Sequence, residues 1–534
     1  MHKFILYAGL ALAILSSQTR AETPVSGGAI TISFKDDVST LDPAIGYDWQ
    51  NWSLIKSVFD TLMDYEPGTT RLRPGLAESY DVSPEGLNYT FHLRQGVRFH
   101  NGREMQAEDV VWSLNRVVDP ATQSPARSFF SMIEGYEAAA AGEGPLSGLS
   151  APDASTVVIR LSRPDATFLH VLALNFASVL PPEAVEAAGA DFGIAPVGTG
   201  AFRFSEWKRG SHLLLKKNPD YWQPGIPYLD ALHIEIGEEP AAALARARKG
   251  EIDILGDGIP ASRFVEVMSD PLLSQQVIEG GQLHTGYITM NVKHPPFDLP
   301  EVRKAVNMAI NKDRIIEVIS GRAVPANQVL PPLMPGYSRD FAGYPYDPKA
   351  AERLLARVGL GDGFSVELLV LDTDPNPRIG EALRQELLAI GVDVTIRALP
   401  RPELIARAGA GEMQMVWSGG LAWVGDFPDP SNFYLPILSC AAARPGGWNW
   451  SKLCRPDLDV RATEANSMAG SDQQEPRLKL WSSVFREMME EAPWVPIFHE
   501  QRFTLHSRRL GGADELYVDP ISVPVNYDHI YLTE

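Results

Sequence analysis

The chain has 534 residues, and its 67 acidic side chains outnumber the 47 basic ones, which gives a formal net charge of −20 at pH 7. A surface of this sign repels nucleic acid, because nucleic-acid binding requires basic patches that neutralise phosphate. The length exceeds the roughly 250 to 300 residues at which single hydrophobic cores stop growing, so we expect several cores. The sequence contains no internal repeat and no low-complexity tract.

Residues 1–21 have the pattern of a secretory signal peptide. Lys3 precedes an apolar run at 4–15, and Ala21 supplies a small residue at the expected cut. The run is far shorter than the roughly 20 residues that a spanning helix needs, which argues against a membrane anchor. No cysteine lies near the cut for lipid attachment. We expect an exported soluble protein with a mature net charge of about −22, because cleavage removes Lys3 and Arg20.

The segment at 76–118 predicts a strand, a turn and a helix. A turn at 83–86 precedes alternating apolar residues at 87–93, which is typical of a half-buried strand. The alternation resumes at Val97 and Phe99, before an Asn-Gly pair that predicts another turn. Acidic residues then open a helical pattern, as the N-terminus of a helix favours.

A second well-patterned region predicts a βαβ unit. A helix ends at Gly359, and alternating apolar residues at 364–370 predict a strand. A further helix at 379–390 and an alternating run at 392–396 follow. The order strand, helix, strand predicts that the two strands are parallel, as in an α/β lobe.

Two loops of this lobe are expected to face a cleft, because ligands of α/β folds bind beyond the carboxyl ends of the strands. The first is 372–378, whose Pro and Asn content suits a fixed turn. The second is 418–430, where glycines allow close backbone approach, Trp423 offers a rigid apolar wall and Asp426 supplies a charge. These groups would suit an amine-bearing ligand, although Asp426 alone is more often a turn or cap residue and Trp423 more often core.

The two cysteines of the chain, Cys440 and Cys454, lie in one Pro/Gly-rich segment. A nearby pair in an exported protein predicts a disulfide, and two buried free thiols are the alternative. In the chain-entropy model, closing a loop of this size contributes on the order of 3 kcal/mol.

Short catalytic and metal-binding motifs are missing from the sequence. There is no Gly-x-Ser-x-Gly elbow, no His-Glu-x-x-His helix and no phosphate-binding Gly-x-x-x-x-Gly-Lys loop. The 11 histidines are scattered, and no Cys-x-x-Cys or His-x-x-x-His pair has metal-ligand spacing. Asp426 and Asp429 could be drawn as a general acid and base, but a Pro-Asp-Pro turn explains Asp429 more simply. We expect no enzyme, no cofactor and no metal.

Several strings, in order along the chain, resemble the periplasmic solute-binding proteins that feed ABC importers for peptides, nickel complexes and opines. The strongest is LAESYDVSPEGLNYTFHLRQGVRFHNGREMQAEDVVWSLNRVV at 76–118. Other matching strings are PVGTGAF at 196–202, NPDYW at 218–222, GEID at 250–253, VRKA at 302–305 and YDPKA at 346–350. Each is weak alone, but their order and spacing over nearly the whole mature chain carry the resemblance.

This resemblance implies an α/β fold of the class II-like periplasmic binding proteins, with two lobes, a hinge and an additional subdomain. Lobe I would be discontinuous and lobe II continuous. The implied boundaries are 1–21 for the signal peptide, 22–65, 190–280 and 500–534 for lobe I, 66–189 for the extra subdomain and 281–499 for lobe II.

The resemblance also implies ligand-binding residues. In peptide-binding members, the aspartate of a Trp-x-x-Asp sequence pairs with the α-ammonium group of the peptide, and Trp423 and Asp426 match that motif. We include the adjacent Gly425 and Phe427 in the predicted site. The string TLDP at 40–43 resembles the family's first cleft loop, and the positions that match its cleft residues are Tyr47, Asp48 and Trp49.

Two further candidates have ordinary structural alternatives. His499 lies in a segment from which the family often lines its cleft, although a structural histidine is the simpler interpretation. The arginines with which some members bind a peptide carboxylate are replaced here by Gly420 and by Leu371 and Asp372. Arg378 could substitute for them, or it could be a solvated arginine at a helix start.

The resemblance implies a monomeric periplasmic protein that closes about its hinge on a peptide or peptide-like solute and is then recognised by a membrane permease. Because a buried carboxylate without a partner is costly, an opine, an amino-acid conjugate or a metal chelate remains an alternative ligand. A periplasmic hydrolase or a chaperone is the alternative from another functional class.

Overall fold

The computed structural model describes residues 24–419, 423–511 and 525–533, so the predicted signal peptide at 1–21 lies outside the described residues. Three elements open the chain: strand β1 (Ala29–Phe34), helix α1 (Trp49–Val58) and strand β2 (Met63–Tyr65). The three large apolar residues of β1 are completely buried, namely Ile30, Ile32 and Phe34. Their alternation places them on one face of a sheet.

The next part of the chain forms a four-stranded sheet with order β4-β5-β7-β6 and covering helices. Its elements are β3 (Leu72–Pro74), β4 (Ala77–Val82), β5 (Asn88–Leu93), α2 (Ala107–Val118), α3 (Tyr136–Ala141), β6 (Leu149–Asp153), β7 (Thr156–Arg160), α4 (Phe168–Val171) and α5 (Pro182–Ala188). Neighbouring strands of this sheet are antiparallel.

The strand and the helix predicted within 76–118 are confirmed as β5 and α2. The Asp109 side chain accepts a hydrogen bond of 2.8 Å from the Gln106 backbone, which fixes the start of α2. The predicted alternation at Val97 and Phe99 is confirmed, since both side chains are buried and Arg98 between them is exposed, but the segment is too short to form a strand. A single bridge between Arg98 and Glu104 replaces it, because these residues pair with a short return of their own loop.

A five-stranded sheet with order β11-β1-β10-β9-β8 forms the first lobe. After α5, its elements are β8 (Phe202–Lys208), β9 (His212–Lys217), β10 (Ala231–Ile236), α6 (Pro240–Ala247), β11 (Ile254–Leu255) and α7 (Phe264–Ser269). Strand β1 runs parallel to both β10 and β11. The carboxyl ends of these three strands therefore lie at one edge of the sheet. The loop that follows β1 leaves from this edge and carries Tyr47.

The largest sheet has the order β12-β19-β13-β17-β15-β16, with β14 on β19 and β18 on β13. The elements of this second lobe and of the C-terminal end are β12 (Val277–Gly281), β13 (His284–Met290), α8 (Pro300–Ala309), α9 (Lys312–Val318), β14 (Ala323–Pro325), α10 (Pro348–Arg357), β15 (Phe364–Leu371), α11 (Asn376–Leu388), β16 (Val392–Leu399), α12 (Arg401–Ala410), β17 (Met415–Trp417), β18 (Trp423–Val424), α13 (Ser431–Tyr434), α14 (Pro456–Ser467), α15 (Gln474–Glu490), β19 (Trp494–Leu505), β20 (Leu510–Gly511) and β21 (Tyr531–Leu532).

The predicted βαβ unit is confirmed as β15, α11 and β16, whose strands are parallel from the pair Phe364 and Val392 to the pair Leu371 and Leu399. Strand β17 is also parallel to β15. The chain therefore leaves β15 at Leu371 and β17 at Trp417 on the same edge of the sheet, as the sequence predicted.

Strands β12 and β19 connect the two lobes. They pair antiparallel from Val277 with Leu505 to Gly281 with Gln501. Phe503 and Leu505 pack with residues of α6 and α7, whereas Val495 and Ile497 of the same strand lie in the core of the large sheet. The predicted α/β architecture is confirmed, and the domain boundaries stay a prediction. Within the described ranges, no helix combines the length and the apolar character needed to cross a bilayer.

Candidate functional site

The segment that carries Trp423, Gly425 and Asp426 is fixed to the edge of the large sheet. Trp423 of β18 pairs with Thr285 of β13, and the Gly425 amide donates a 2.7 Å hydrogen bond to the Leu283 carbonyl. A Cβ atom at Gly425 would lie 3.3 Å from the Leu283 Cβ. The glycine therefore permits the close backbone approach that holds Asp426 at this edge.

Asn432 at the start of α13 forms hydrogen bonds with both Trp423 and Asp426, and it was not among the predicted site residues. Its side-chain oxygen accepts hydrogen bonds from the Trp423 indole at 3.2 Å and from the Asp426 backbone at 3.1 Å. Its amide nitrogen donates to Asp426 Oδ2 at 3.3 Å. An asparagine just after the Asp-Pro turn was the available signal, because polar residues at a helix start often bond to nearby backbone.

Asp426 is 7% exposed, and only neutral groups donate hydrogen bonds to its carboxylate among the described residues. Burial raises the pKa of Asp426 above its usual range, while the hydrogen bonds from Tyr47 and Asn432 oppose the rise. Asp429, three residues later, is also buried but forms an ion pair of 2.6 Å with Arg477. Of these two buried carboxylates, the protein supplies a cation to Asp429, and no ion pair of the described residues includes Asp426.

Tyr47 reaches Asp426 from the other lobe. Its hydroxyl donates a 2.5 Å hydrogen bond to Asp426 Oδ1, and its ring stacks on Trp52 and meets the edge of Phe176. Burial and the neighbouring Asp426 raise the pKa of the Tyr47 phenol well above its ordinary value, so the hydroxyl stays protonated and donates. The two residues that the sequence placed in separate cleft loops are therefore brought together.

The other two residues predicted in the first cleft loop have different positions. Asp48 accepts hydrogen bonds from the Ser39 hydroxyl at 2.5 Å and from the Asn51 amide at 3.2 Å. These bonds connect Asp48 to its own loop. Trp49 begins α1, and its side chain lies outside the described residues.

Phe427 connects the Asp426 segment to the four-stranded sheet. It is 5% exposed and lies in the apolar cluster of that subdomain, with Phe129 and His170 at ring distances of 6.1 Å each. Burial lowers the pKa of His170 to about 4. Its Nδ1 lies 3.0 Å from the Tyr65 hydroxyl. These contacts are those of a packing residue, and the ligand-binding role of Phe427 stays a prediction.

Arg378 and His499 are not brought to Asp426 by any described contact. The Arg378 guanidinium forms an exposed pair with Asp374 at 2.7 Å, four residues earlier on the same helix start. His499 is 2% exposed, its Nδ1 lies 3.0 Å from the Thr285 hydroxyl, and burial lowers its pKa to about 3. Both contacts fit the simpler interpretations, a surface arginine and a buried histidine, and the ligand-binding roles stay predictions.

Cys440 and Cys454 form a disulfide, as predicted. The loop that it closes brings Trp448 to within 6.4 Å of Trp423, measured between ring centroids. Among the described residues, no group of three or more His, Cys, Asp or Glu side chains is arranged to hold a metal ion. The chemistry of the site is that of an anionic group with aromatic neighbours.

Comparisons with known proteins give one consistent result. The sequence profile of the bacterial extracellular solute-binding proteins, family 5 Middle, matches residues 71–444. The chain is 33% identical over 485 residues to the dipeptide-binding protein of Escherichia coli (strain K12), covering 87% of each chain. It is 32% identical to di/tripeptide-binding protein 2 of Pseudomonas aeruginosa (strain UCBPP-PA14), covering 85% of this chain and 86% of that protein.

A solved structure of a periplasmic binding protein also matches the chain. The ABC transporter-associated periplasmic binding protein DppA from Helicobacter pylori, in complex with the peptide STSA, matches with a TM-score of 0.75 and 27% identity. The match covers 96% of this chain and 99% of that one.

Proposed function

The chain belongs to the bacterial extracellular solute-binding proteins of family 5, and from this premise we propose that it captures short peptides with a free α-ammonium group. It delivers them to the membrane permease of an ABC importer. The relatives compared above are binding proteins rather than enzymes. Their printed names, which specify dipeptides, tripeptides and a bound four-residue peptide, support the ligand class proposed here.

The buried Asp426 carboxylate, which is bonded only to neutral donors among the described residues, is the observation that carries this proposal. An ionised carboxylate in such a place is costly unless a cation joins it. The α-ammonium group of a peptide supplies one positive charge and three donors. Peptide binding therefore stabilises the ionised form of Asp426, as Arg477 does for Asp429.

Closure about the β12 and β19 connection would enclose the peptide. The hydroxyl of Tyr47 and the carboxylate of Asp426 come from opposite lobes, and both lie beside the proposed ammonium position. A ligand that contacts both lobes favours the closed arrangement over the open one by its differential contacts. In an extended peptide, main-chain hydrogen bonds would add affinity regardless of side chain.

The exported location is part of the proposal. Family members are periplasmic binding proteins, and residues 1–21 carry the signal-peptide pattern. We propose a soluble periplasmic monomer that has no resident cofactor. Edman sequencing of the protein purified from the periplasm should begin at Glu22, and a retained N-terminus would contradict export by cleavage.

The test of the ligand class has two arms. Native mass spectrometry of protein purified from its own periplasm should release a spread of short peptide masses. One discrete mass would favour the alternative ligands, an opine, an amino-acid conjugate or a chelate. Incubation of the loaded protein should leave the released masses unchanged, whereas conversion to fragments would indicate a hydrolase. Prevention of client aggregation without a stoichiometric ligand would instead indicate a chaperone.

The second arm tests Asp426 by calorimetry with Ala-Ala and N-acetyl-Ala-Ala. Removing the charge in Asp426→Asn should weaken Ala-Ala binding by roughly 3 to 5 kcal/mol, because it breaks a buried charge pair. N-acetyl-Ala-Ala should bind wild type weakly and lose little further in the variant. Asp362→Asn, at an exposed turn before β15, is the matched control and should bind like wild type. Equal affinity of wild type and Asp426→Asn for Ala-Ala would reject the assignment.

A further inference from the structure

The disulfide-closed loop holds an indole at the edge of the proposed peptide site. Trp448 is 42% exposed, although it stacks on the buried Trp450 with ring centroids 5.4 Å apart and 23° between planes. Its other neighbour is the half-buried Trp423, which it meets edge to face at 6.4 Å. An indole that stacks on one neighbour, meets a second edge to face and is still 42% exposed keeps apolar surface available for a ligand.

The three indoles form a row that is connected to Asp426 through Trp423 and Asn432. At its first end, Trp423 shares the side-chain oxygen of Asn432 with the Asp426 backbone. At its other end, Trp450 is 4% exposed and lies in the same apolar cluster as Leu371, the last residue of β15. Trp448 therefore lies between an indole that shares Asn432 with Asp426 and an indole that packs in the cluster of Leu371.

The distance between the Trp423 and Trp448 rings is comparable to the length of two residues of an extended peptide. Each residue of an extended chain advances by roughly 3.3 Å, so the 6.4 Å from Trp423 to Trp448 corresponds to about two residues. A peptide whose first residue is fixed at Asp426 would bring a later side chain, at position two or three, beside Trp448.

The loop is built to keep this indole in place. The amide nitrogen of Asn449 donates to three backbone carbonyls, those of Leu438 at 3.0 Å, Ser439 at 3.0 Å and Leu453 at 2.8 Å. The Cys440 to Cys454 disulfide closes the same loop. A side chain held on such a loop loses little conformational freedom on binding, which favours its use as a contact surface.

We propose that Trp448, together with Trp423, forms an apolar side-chain subsite that favours peptides with an aromatic or large aliphatic residue at position two or three. This inference rests on the proposed peptide-binding function and names the side chains that function would select. The subsite contributes to selectivity, while the charge at Asp426 contributes affinity for every peptide with a free amine.

The experiment compares Ala-Ala-Ala, Phe-Ala-Ala, Ala-Phe-Ala and Ala-Ala-Phe by calorimetry on wild type and Trp448→Ala. Wild type should prefer Phe at position two or three over Ala-Ala-Ala. Trp448→Ala should reduce that preference three- to tenfold, the usual range for one aromatic contact, and leave Ala-Ala-Ala and Phe-Ala-Ala unchanged. Trp448→Leu, which keeps an apolar surface, should retain part of the preference. Tyr346→Ala, at another exposed aromatic residue of the large lobe, is the matched control.

Equal weakening of all four peptides in Trp448→Ala would indicate a structural role and overturn the subsite, as would an unchanged preference. A loss limited to Phe-Ala-Ala would also overturn it. If wild type binds none of the four peptides, the proposed function fails and the subsite fails with it. If wild type binds them and Asp426→Asn does not, the proposed function stands, and the Trp448 variants decide the subsite alone.

Discussion

The hydroxyl of Tyr47 donates a 2.5 Å hydrogen bond to Asp426 Oδ1, joining two residues that are 379 positions apart in the sequence. The bond connects the loop after β1 to the segment after β18, and so connects the two lobes. It also leaves Asp426 Oδ2 with only the 3.3 Å contact from Asn432 among described partners. The carboxylate therefore keeps one weakly bonded oxygen for an incoming cation.

Tyr47→Phe should weaken peptide binding at least about tenfold, because hydrogen bonds to charged groups contribute about 1.5 to 3 kcal/mol and the closed complex retains this one. The ring packing on Trp52 and Phe176 stays intact in the variant. Calorimetry with Ala-Ala measures the effect, and Tyr346→Phe at an exposed position serves as the control. A tighter complex would mean that the Tyr47 hydroxyl competes with the ammonium group instead of assisting it.

Peptide affinity should depend on pH through Asp426. Burial raises its pKa, so its carboxylate takes up a proton at a higher pH than an ordinary aspartate, and affinity should fall as the pH falls through that raised value. At alkaline pH, affinity should fall again because the α-amino group of the peptide loses its proton at a pH of about 8. Calorimetry in two buffers of different ionisation enthalpy should detect proton release on binding in the acidic limb. Asp426→Asn should lose the acidic limb, and its persistence would assign the dependence to another group.

Much of the fold could be predicted from local pattern, but the partners in the site could not. The β15, α11 and β16 unit follows from apolar periodicity, which depends on neighbours within a few residues. At Val97 and Phe99 the same rule identified the buried face but not the extent of pairing, which is a single bridge between Arg98 and Glu104. The hydrogen bond between Tyr47 and Asp426 and the role of Asn432 depend on tertiary closure, and no local signal connects such distant positions.

The ligand-binding role of Arg378 stays a prediction for a related reason. An arginine at a helix start in a cleft loop has the charge that a peptide carboxylate needs. In the folded protein, Asp374 lies four residues earlier on the same turn and pairs with it at 2.7 Å. The sequence contained both residues, but the choice between a nearby carboxylate and a ligand depends on side-chain direction.

Asp528→Asn should stabilise the protein at alkaline pH. Asp528 is buried, its Oδ1 accepts no hydrogen bond from the described residues, and burial raises its pKa to about 7. Nearby Asp64 forms ion pairs with Lys56 at 2.5 Å and Arg73 at 2.7 Å. The negative charge of Asp64 offsets these two cations, so they stabilise the ionised form of Asp528 less. The folded state therefore holds a proton on Asp528 that the unfolded chain releases, and this contribution to stability is lost as the pH rises from about 4 through about 7.

Urea unfolding at pH 5 and pH 8 measures this effect. At pH 8 the variant should be more stable than wild type by on the order of 4 kcal/mol, because the pKa of Asp528 rises from 3.8 to about 7 and one pKa unit corresponds to about 1.4 kcal/mol. The difference should shrink at pH 5, where wild type is protonated. The buried histidines titrate in both proteins and cancel in the comparison. A difference that is independent of pH would mean that the substitution acts through packing.

Breaking the buried pair of Asp429 and Arg477 should be strongly destabilising. The two side chains are 2% and 1% exposed, and Asp429 also accepts a 2.6 Å hydrogen bond from Ser431, so it anchors the turn that follows Asp426. Arg477→Met leaves a buried carboxylate without its cation and should cost about 3 to 5 kcal/mol in urea unfolding. Arg486→Met, on the same helix α15 but paired with the 82% exposed Asp340, should cost no more than about 1 kcal/mol. Adding Asp429→Asn to Arg477→Met removes the unpaired charge and should restore part of the loss, whereas equal costs for the two arginine variants would show that the pair contributes nothing beyond a surface contact.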